Sequence, residues 1–276
     1  MSFSDYLFGL RGHDVADDFE NMCINAKENG IKNLQFALAK TVSDINFDEI
    51  GYDKELSLKI KNALAENDLK VSVLGCYINP VETDEAALRT MLKRFENFIH
   101  YAKDFGACVI GTETGSRGSL EATRSEENYK FFVENMKPLV KIAEKENVIV
   151  GIEPVWVFTI YSAEIMKRML DEVNSPNLGV IFDLSNIMTA DRLSMQDEII
   201  NEAFDILGDK IKAVHVKDFV FDGEQKSYAV TGEGQMNLKL LFERIGMMKE
   251  KPEIILDETP LASYLRAIEN LKEILK

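Results

Sequence analysis

Four apolar runs in this chain each finish on a side chain that can hold a metal ion. They are Gly151-Ile152-Glu153-Pro154, Val180-Ile181-Phe182-Asp183, Ala213-Val214-His215-Val216-Lys217-Asp218 and Ile254-Ile255-Leu256-Asp257-Glu258. His215 is one of only three histidines, and it interrupts a β-branched run where an apolar residue would pack at lower cost, so it needs a polar partner. Three carboxylates aimed at one small volume stay ionised only beside a cation. Glu153, Asp183, His215 and Glu258 are therefore the expected metal ligands. Three hard oxygen donors and one imidazole favour Mn²⁺ or Mg²⁺, with Co²⁺ or Zn²⁺ as substitutes, and Mn²⁺ is the expected ion. The last run leaves two choices open, because Asp257 and Glu258 are adjacent and point in different directions; Glu258 is preferred for its reach toward a substrate carbon. A lone acid after a strand is ordinarily a solvated loop residue or a helix cap. The weight here comes from four ligand-competent residues arriving in order.

Elements that could bring them together alternate along the chain. Strands are expected over 6–10, 34–38, 70–74, 107–110, 148–153, 178–183, 211–217 and 253–256, separated by segments of helical periodicity. Thr83-Asp84-Glu85 reads as an N-cap with acids in the first turn, Ser125 and Ser162 read as further N-caps, and Asn29-Gly30 as a helix stop. The strands are apolar on both faces, which suits a parallel sheet covered by helices. Eight such units predict a fold of class α/β, a single (β/α)₈ TIM barrel spanning residues 1–276 as one domain. In barrels of this kind the functional side chains sit at the carboxyl ends of the strands, where the four candidate ligands fall. The polar loop around Gly232-Glu233-Gly234 reads as a flexible connection.

Composition removes several classes of function. With 32 basic and 47 acidic residues among 276, the formal charge of −15 repels phosphate backbones and anionic membranes, so neither a nucleic acid nor a membrane is an expected partner. Three scattered cysteines, Cys23, Cys76 and Cys108, have neither CxxC spacing nor a disulfide framework, which suits reduced thiols in a cytoplasm. The stretch Met1-Ser2-Phe3-Ser4-Asp5 lacks a basic segment followed by an apolar one, so no targeting signal is expected. No GxGxxG in a strand–turn–helix setting, no phosphate-binding P-loop and no GxSxG occurs, so neither a nucleotide cofactor nor an esterase nucleophile is indicated.

Glu153-Pro154-Val155-Trp156, Phe182-Asp183-Leu184-Ser185-Asn186, His215-Val216-Lys217-Asp218 and Gly232-Glu233-Gly234, in this order, resemble the xylose isomerase-like TIM-barrel superfamily, in its sugar-phosphate isomerase/epimerase branch. The likeness also takes in Leu10-Arg11-Gly12-His13-Asp14 and 34–40, and so extends over essentially the whole chain. It implies that Glu153 and Glu258 bind the metal and act as an acid/base pair, with Asp183 and His215 completing the coordination sphere. One departure is visible: many relatives carry a histidine shortly after the fifth-strand Glu-Pro or the sixth-strand Asp, and this chain has Phe158 and Asn186 there.

The implied activity is that of a metal-dependent sugar isomerase or epimerase, which moves a proton next to a ketose carbonyl through an enediolate. A carboxylate on each face of the sugar would invert a stereocentre; a shuttle between adjacent carbons would interconvert aldose and ketose. His13, Lys40, Asn79, Glu113, Trp156, Asn186 and Lys217 are the expected contacts to a small sugar or polyol, Trp156 by stacking and Lys217 as an electrophile or a partner of Asp218. Two alternatives stand beside this one. The first is a sugar-binding or regulatory barrel without turnover. The second is a phosphodiesterase like endonuclease IV, disfavoured because its three metals need more histidines than His13, His100 and His215. Homo-oligomerisation stays open.

Overall fold

A computed structural model describes Phe3 and residues 6–276. The reading of the first five residues as lacking a targeting signal therefore concerns positions of which Met1, Ser2, Ser4 and Asp5 lie outside the described residues. Ten strands are present among the described residues: β1 (Phe8–Arg11), β2 (Asn33–Phe36), β3 (Lys70–Gly75), β4 (Val109–Thr112), β5 (Val150–Ile152), β6 (Leu178–Asp183), β7 (Ile211–Val216), β8 (Phe219–Asp222), β9 (Gln225–Tyr228) and β10 (Glu253–Leu256). All but β8 and β9 form a closed parallel barrel in the order β1-β10-β7-β6-β5-β4-β3-β2, so the expected (β/α)₈ architecture is the observed one.

The caps act as the sequence implies. Asp84, Ser125 and Ser162 accept from the backbone N–H of Ala87, Asn128 and Ile165, opening the helices Glu85–Phe105, Glu126–Glu146 and Ala163–Val173. These helices bury Phe95, Phe98, Phe132, Met136, Met166 and Met169 against the outer face of the sheet, which is the larger of two apolar cores. The smaller core fills the barrel itself with Val73, Val109, Ile181, Ala213 and Ile255. Because strand side chains alternate between faces, these five residues set the parity of the interior. Two glycines share that interior for lack of room: a Cβ on Gly151 would lie 2.4 Å from Val109 Cγ1, and one on Gly111 2.7 Å from Ile181 Cδ1.

An element the sequence does not announce is the antiparallel hairpin β8–β9, which rises from the end of β7. Lys226 fastens it over the neighbouring short helix Leu184–Ile187 by donating to Ser185 O at 2.7 Å. Among the described residues no helix is long and apolar enough to cross a membrane, and Cys23, Cys76 and Cys108 are all free.

Candidate metal centre at the barrel mouth

Parity carries the interior pattern up into the mouth. Two residues beyond Gly151, Ile181, Ala213 and Ile255 stand Glu153, Asp183, His215 and Asp257, all of them buried. Register aligns them: Asp183 on β6 pairs with His215 on β7, which pairs with Ile255 on β10. Glu153, Asp183 and His215 each place a ligand atom within 4.8 Å of the other two. His215 Nδ1 lies 3.5 Å from Glu153 Oε2, 3.8 Å from Asp257 Oδ2 and 4.0 Å from Asp183 Oδ2.

These distances are longer than ordinary hydrogen bonds, and Nε2, also buried, has no hydrogen-bond partner among the described residues. An imidazole sealed from water and left short of partners, facing carboxylates at ion-sharing range, fits the donor set of a divalent metal. Burial pushes the His215 pKa down, but Glu153, Asp257 and Asp183 outweigh it and the net direction is up. Asp183 moves up as well, driven first by burial and then by Glu153 and Asp257, against the opposing pull of Lys217.

The strand-eight ligand is where sequence and structure part. The sequence favours Glu258, yet its backbone takes a left-handed turn with φ of 49° and its side chain leaves the cluster, 37% exposed, to meet Arg11 Nη1 at 2.9 Å. Asp257, at 5% exposure, is the residue that faces His215 and Lys217. The physical reason is the pleat: Ile255 points into the barrel, so the next inward position is Asp257, and Glu258 lies on the turn that ends the strand. Arg11 Nη1 also holds Asp257 Oδ1 at 2.7 Å. Despite burial, Lys217, His215 and Arg11 together bring the Asp257 carboxyl down to about 2.

The other expected contacts divide. Asn186 and Lys217 belong to the centre: Asn186 Nδ2 donates to Glu153 Oε1 at 2.6 Å, and Lys217 Nζ lies 3.1 Å from Asp183 Oδ2 and 3.0 Å from Asp257 Oδ2. The carboxylates overcome the cost of burying the ammonium and raise its pKa, so Lys217 is a charge and not a nucleophilic amine. Its partners are not Asp218, as one sequence reading had it. Glu113, after β4, is coupled to the cluster by charge; burial first, then Glu153 and Asp183, raise it to about 7 against the pull of Lys217 and His215. His13 sits on the helical turn after β1 with Nδ1 buried and unpartnered among the described residues, its pKa lowered by burial and by Arg11 and Lys40.

Three residues do not join. Lys40 is exposed at the end of the short helix Leu38–Thr41. Asn79 braces the loop after β4 by donating to Ser116 O at 3.4 Å. Trp156 stands outside the cluster, its ring flanked by the guanidinium carbons of Arg124 at 4.3 Å and Arg192 at 4.4 Å. His100 lies on the helix Glu85–Phe105 with Nδ1 3.6 Å from Glu146, so the histidines do not assemble a multinuclear site.

Sequence reasoning passed over Tyr77, whose hydroxyl accepts from Gln35 Nε2 at 3.0 Å and donates to Glu153 Oε2 at 3.2 Å. The signal was available, since Tyr77 lies two residues beyond Gly75 on the inward parity of β3. Gly232-Glu233-Gly234, which reads in sequence as a flexible loop, is pinned in place. The buried Asp218 carboxylate accepts from the backbone N–H of Phe219, Gly232, Gly234 and Met236 at 2.8 to 3.0 Å. A Cβ on Gly234 would lie 2.2 Å from Asp218 Oδ1, so only glycine fits. Asp218→Ala strips four backbone donors of one acceptor, and a stability loss of roughly 3 kcal/mol is expected in urea unfolding. A loss below about 1 kcal/mol would show that this anchor is dispensable.

The sequence pattern of the xylose isomerase-like TIM barrel family matches residues 24–274. The chain belongs to this family. No curated protein matches the sequence significantly. Among solved structures, a D-tagatose 3-epimerase-like protein superposes with a TM-score of 0.78 at 16% identity, over 97% of this chain and 96% of that one. The probable 3-DHS dehydratase AsbF involved in petrobactin synthesis from Bacillus anthracis gives a TM-score of 0.74 at 16% identity, over 96% and 98%. A xylose isomerase-like TIM barrel protein from Mycobacterium smegmatis, solved in complex with magnesium, gives 0.73 at 11% identity, over 100% of each chain. At these identities the family's barrel is shared and the reaction is not thereby assigned.

Proposed function

We propose that this member of the xylose isomerase-like family is a divalent-metal-dependent enzyme that moves a proton beside the carbonyl of a small sugar or polyol, as an isomerase or epimerase. The observation that carries this reading is the convergence of Glu153, Asp183 and His215 within 4.8 Å of one another, buried at the carboxyl ends of three adjacent strands. Epimerase-like and magnesium-bound relatives of the same fold add weight. Those three residues would hold the ion, with Asp257 beside them, and Mn²⁺ remains the expected one on donor type. When bound, it supplies Lewis acidity, which polarises a substrate carbonyl and stabilises negative charge next to it.

The chain's own groups do the rest. Glu153 is the proton-moving carboxylate: Asn186 Nδ2 and Tyr77 OH hold one oxygen each, fixing the plane of the group. Asn186 spans from Glu153 to Lys217 Nζ, which stands 3.3 Å from its Oδ1, so base and cation are positioned together. The Lys217 ammonium and the Arg11 guanidinium offset the carboxylates around them.

One observation favours a second reading within the same chemistry. The Asp257 carboxyl, held near 2 between Arg11 and Lys217, is poorly suited to deliver a proton. A single base facing an ammonium matches elimination of water, in which Glu153 removes the proton and a cationic acid assists the departing hydroxyl.

A panel of ketoses and inosose-like polyols incubated in D₂O and followed by NMR tests both. Solvent deuterium in a rearranged sugar supports the first reading, an unsaturated product the second, and no change in any panel member with ion bound contradicts both. On the substrate so identified, Asp257→Asn is expected to lower kcat/KM by roughly 10²-fold and Glu258→Gln by less than about threefold. The reverse order would restore Glu258 to the centre.

A further inference from the structure

The barrel mouth carries a cation of its own. Lys217 follows His215 by two residues, on the same face of the chain, so its ammonium stands beside the imidazole. The two groups also share acceptors: Asp183 Oδ2 is 3.1 Å from Lys217 Nζ and 4.0 Å from His215 Nδ1, and Asp257 Oδ2 is 3.0 and 3.8 Å from the same atoms. Asn186 Oδ1, at 3.3 Å, completes the ammonium's surroundings. A lysine head group is a compact point charge on a flexible stem of four carbons, able to give up such a place without unfolding anything.

We propose that Lys217 is a built-in competitor of the divalent ion, its ammonium occupying carboxylate oxygens that the ion draws on and being driven out when the ion loads. The inference rests on the metal reading of Glu153, Asp183 and His215. A monocation and a dication sharing Asp183 would repel strongly even at an effective dielectric of about 20. Either the ammonium leaves or the ion binds weakly. On the side toward solvent, the ammonium meets the ring of Tyr228 on the β8–β9 hairpin, whose centroid is 5.5 Å from Nζ and which is itself 48% exposed. The displaced head group would then stand over the mouth, beneath the hairpin, where an anionic or hydroxyl-rich substrate arrives. Loading of the ion and presentation of Lys217 to substrate become one event. In the empty protein the same ammonium keeps the buried carboxylates compensated.

Titration of MnCl₂ into metal-stripped protein by calorimetry tests this on the parent and on Lys217→Met. The variant is expected to bind Mn²⁺ at least roughly tenfold more tightly. Equal or weaker binding by the variant overturns the inference. A second readout uses the parent alone and decides the matter should the variant not fold: reductive methylation with formaldehyde and cyanoborohydride, quantified by peptide mass spectrometry against the exposed Lys59. Modification of Lys217 is expected to rise several-fold on saturation with Mn²⁺, whereas constant or falling modification overturns the proposal. If the parent binds Mn²⁺ and neither Lys217 readout moves, only this inference falls. If neither protein binds Mn²⁺, the metal reading of the cluster falls and takes the inference with it.

Discussion

Exhaustive chelation followed by transfer to metal-free buffer is expected to lower turnover by at least about 10³-fold, and Mn²⁺ to restore it. The size follows from what the mouth lacks without an ion. The positive side chains within reach, Lys217 and Arg11, are already engaged by Asp183, Asp257, Asp14 and Glu258. Losing several kcal/mol of charge stabilisation corresponds to roughly three powers of ten in rate. The same contacts predict that the fold survives, because the Lys217 ammonium and the Arg11 guanidinium still lie against the buried acids. Circular dichroism should therefore be unchanged while activity disappears. Full turnover in protein from which no metal can be detected by mass spectrometry would defeat the metal requirement.

Glu153→Gln is expected to cost roughly 10²- to 10⁴-fold in kcat, with loss of deuterium exchange from solvent. The amide is nearly isosteric, and its oxygen can still accept from Asn186 Nδ2 while its nitrogen faces the Tyr77 hydroxyl, so the scaffold around the position is retained. What disappears is the proton acceptor. Because Glu153 is also a ligand in this account, Mn²⁺ affinity is expected to fall as well, and single-turnover kinetics at saturating Mn²⁺ separate the two losses. Turnover within about threefold of the parent under those conditions would remove Glu153 from the chemistry. The experiment also addresses the binding-module alternative. If a sugar binds both proteins and the parent converts none of the panel, a non-catalytic barrel becomes the better description.

The barrel was legible because its strands are apolar on both faces and recur with helical segments between them, a pattern that a closed parallel sheet satisfies. Strand limits were less so. β1 runs over Phe8–Arg11 and β4 over Val109–Thr112, each shifted about two residues later than composition implied, since partner register and not hydrophobicity ends a strand. The hairpin β8–β9 was overlooked although Phe219-Val220-Phe221 runs into Asp222-Gly223, a recognised turn signal; its polar, exposed second strand hid it among loop residues.

Glu153, Asp183 and His215 could be found because each ends an apolar run on the inward parity. Glu258 could not be told from Asp257, because the choice depends on which face Ile255 takes and on a left-handed turn that nothing in the local composition marks. Trp156, Lys40 and Asn79 follow strand ends too, but their side chains meet other partners or solvent: the two arginines, the surface and Ser116 O. Proximity in sequence to a strand end placed them at the rim and not in the centre.

The most direct test is anomalous diffraction from a crystal soaked in MnCl₂, recorded near the manganese edge. A single strong peak bonded to Glu153, Asp183 and His215 is the predicted result. A map with no peak among those side chains, or with manganese bound only elsewhere on the surface, would contradict the account.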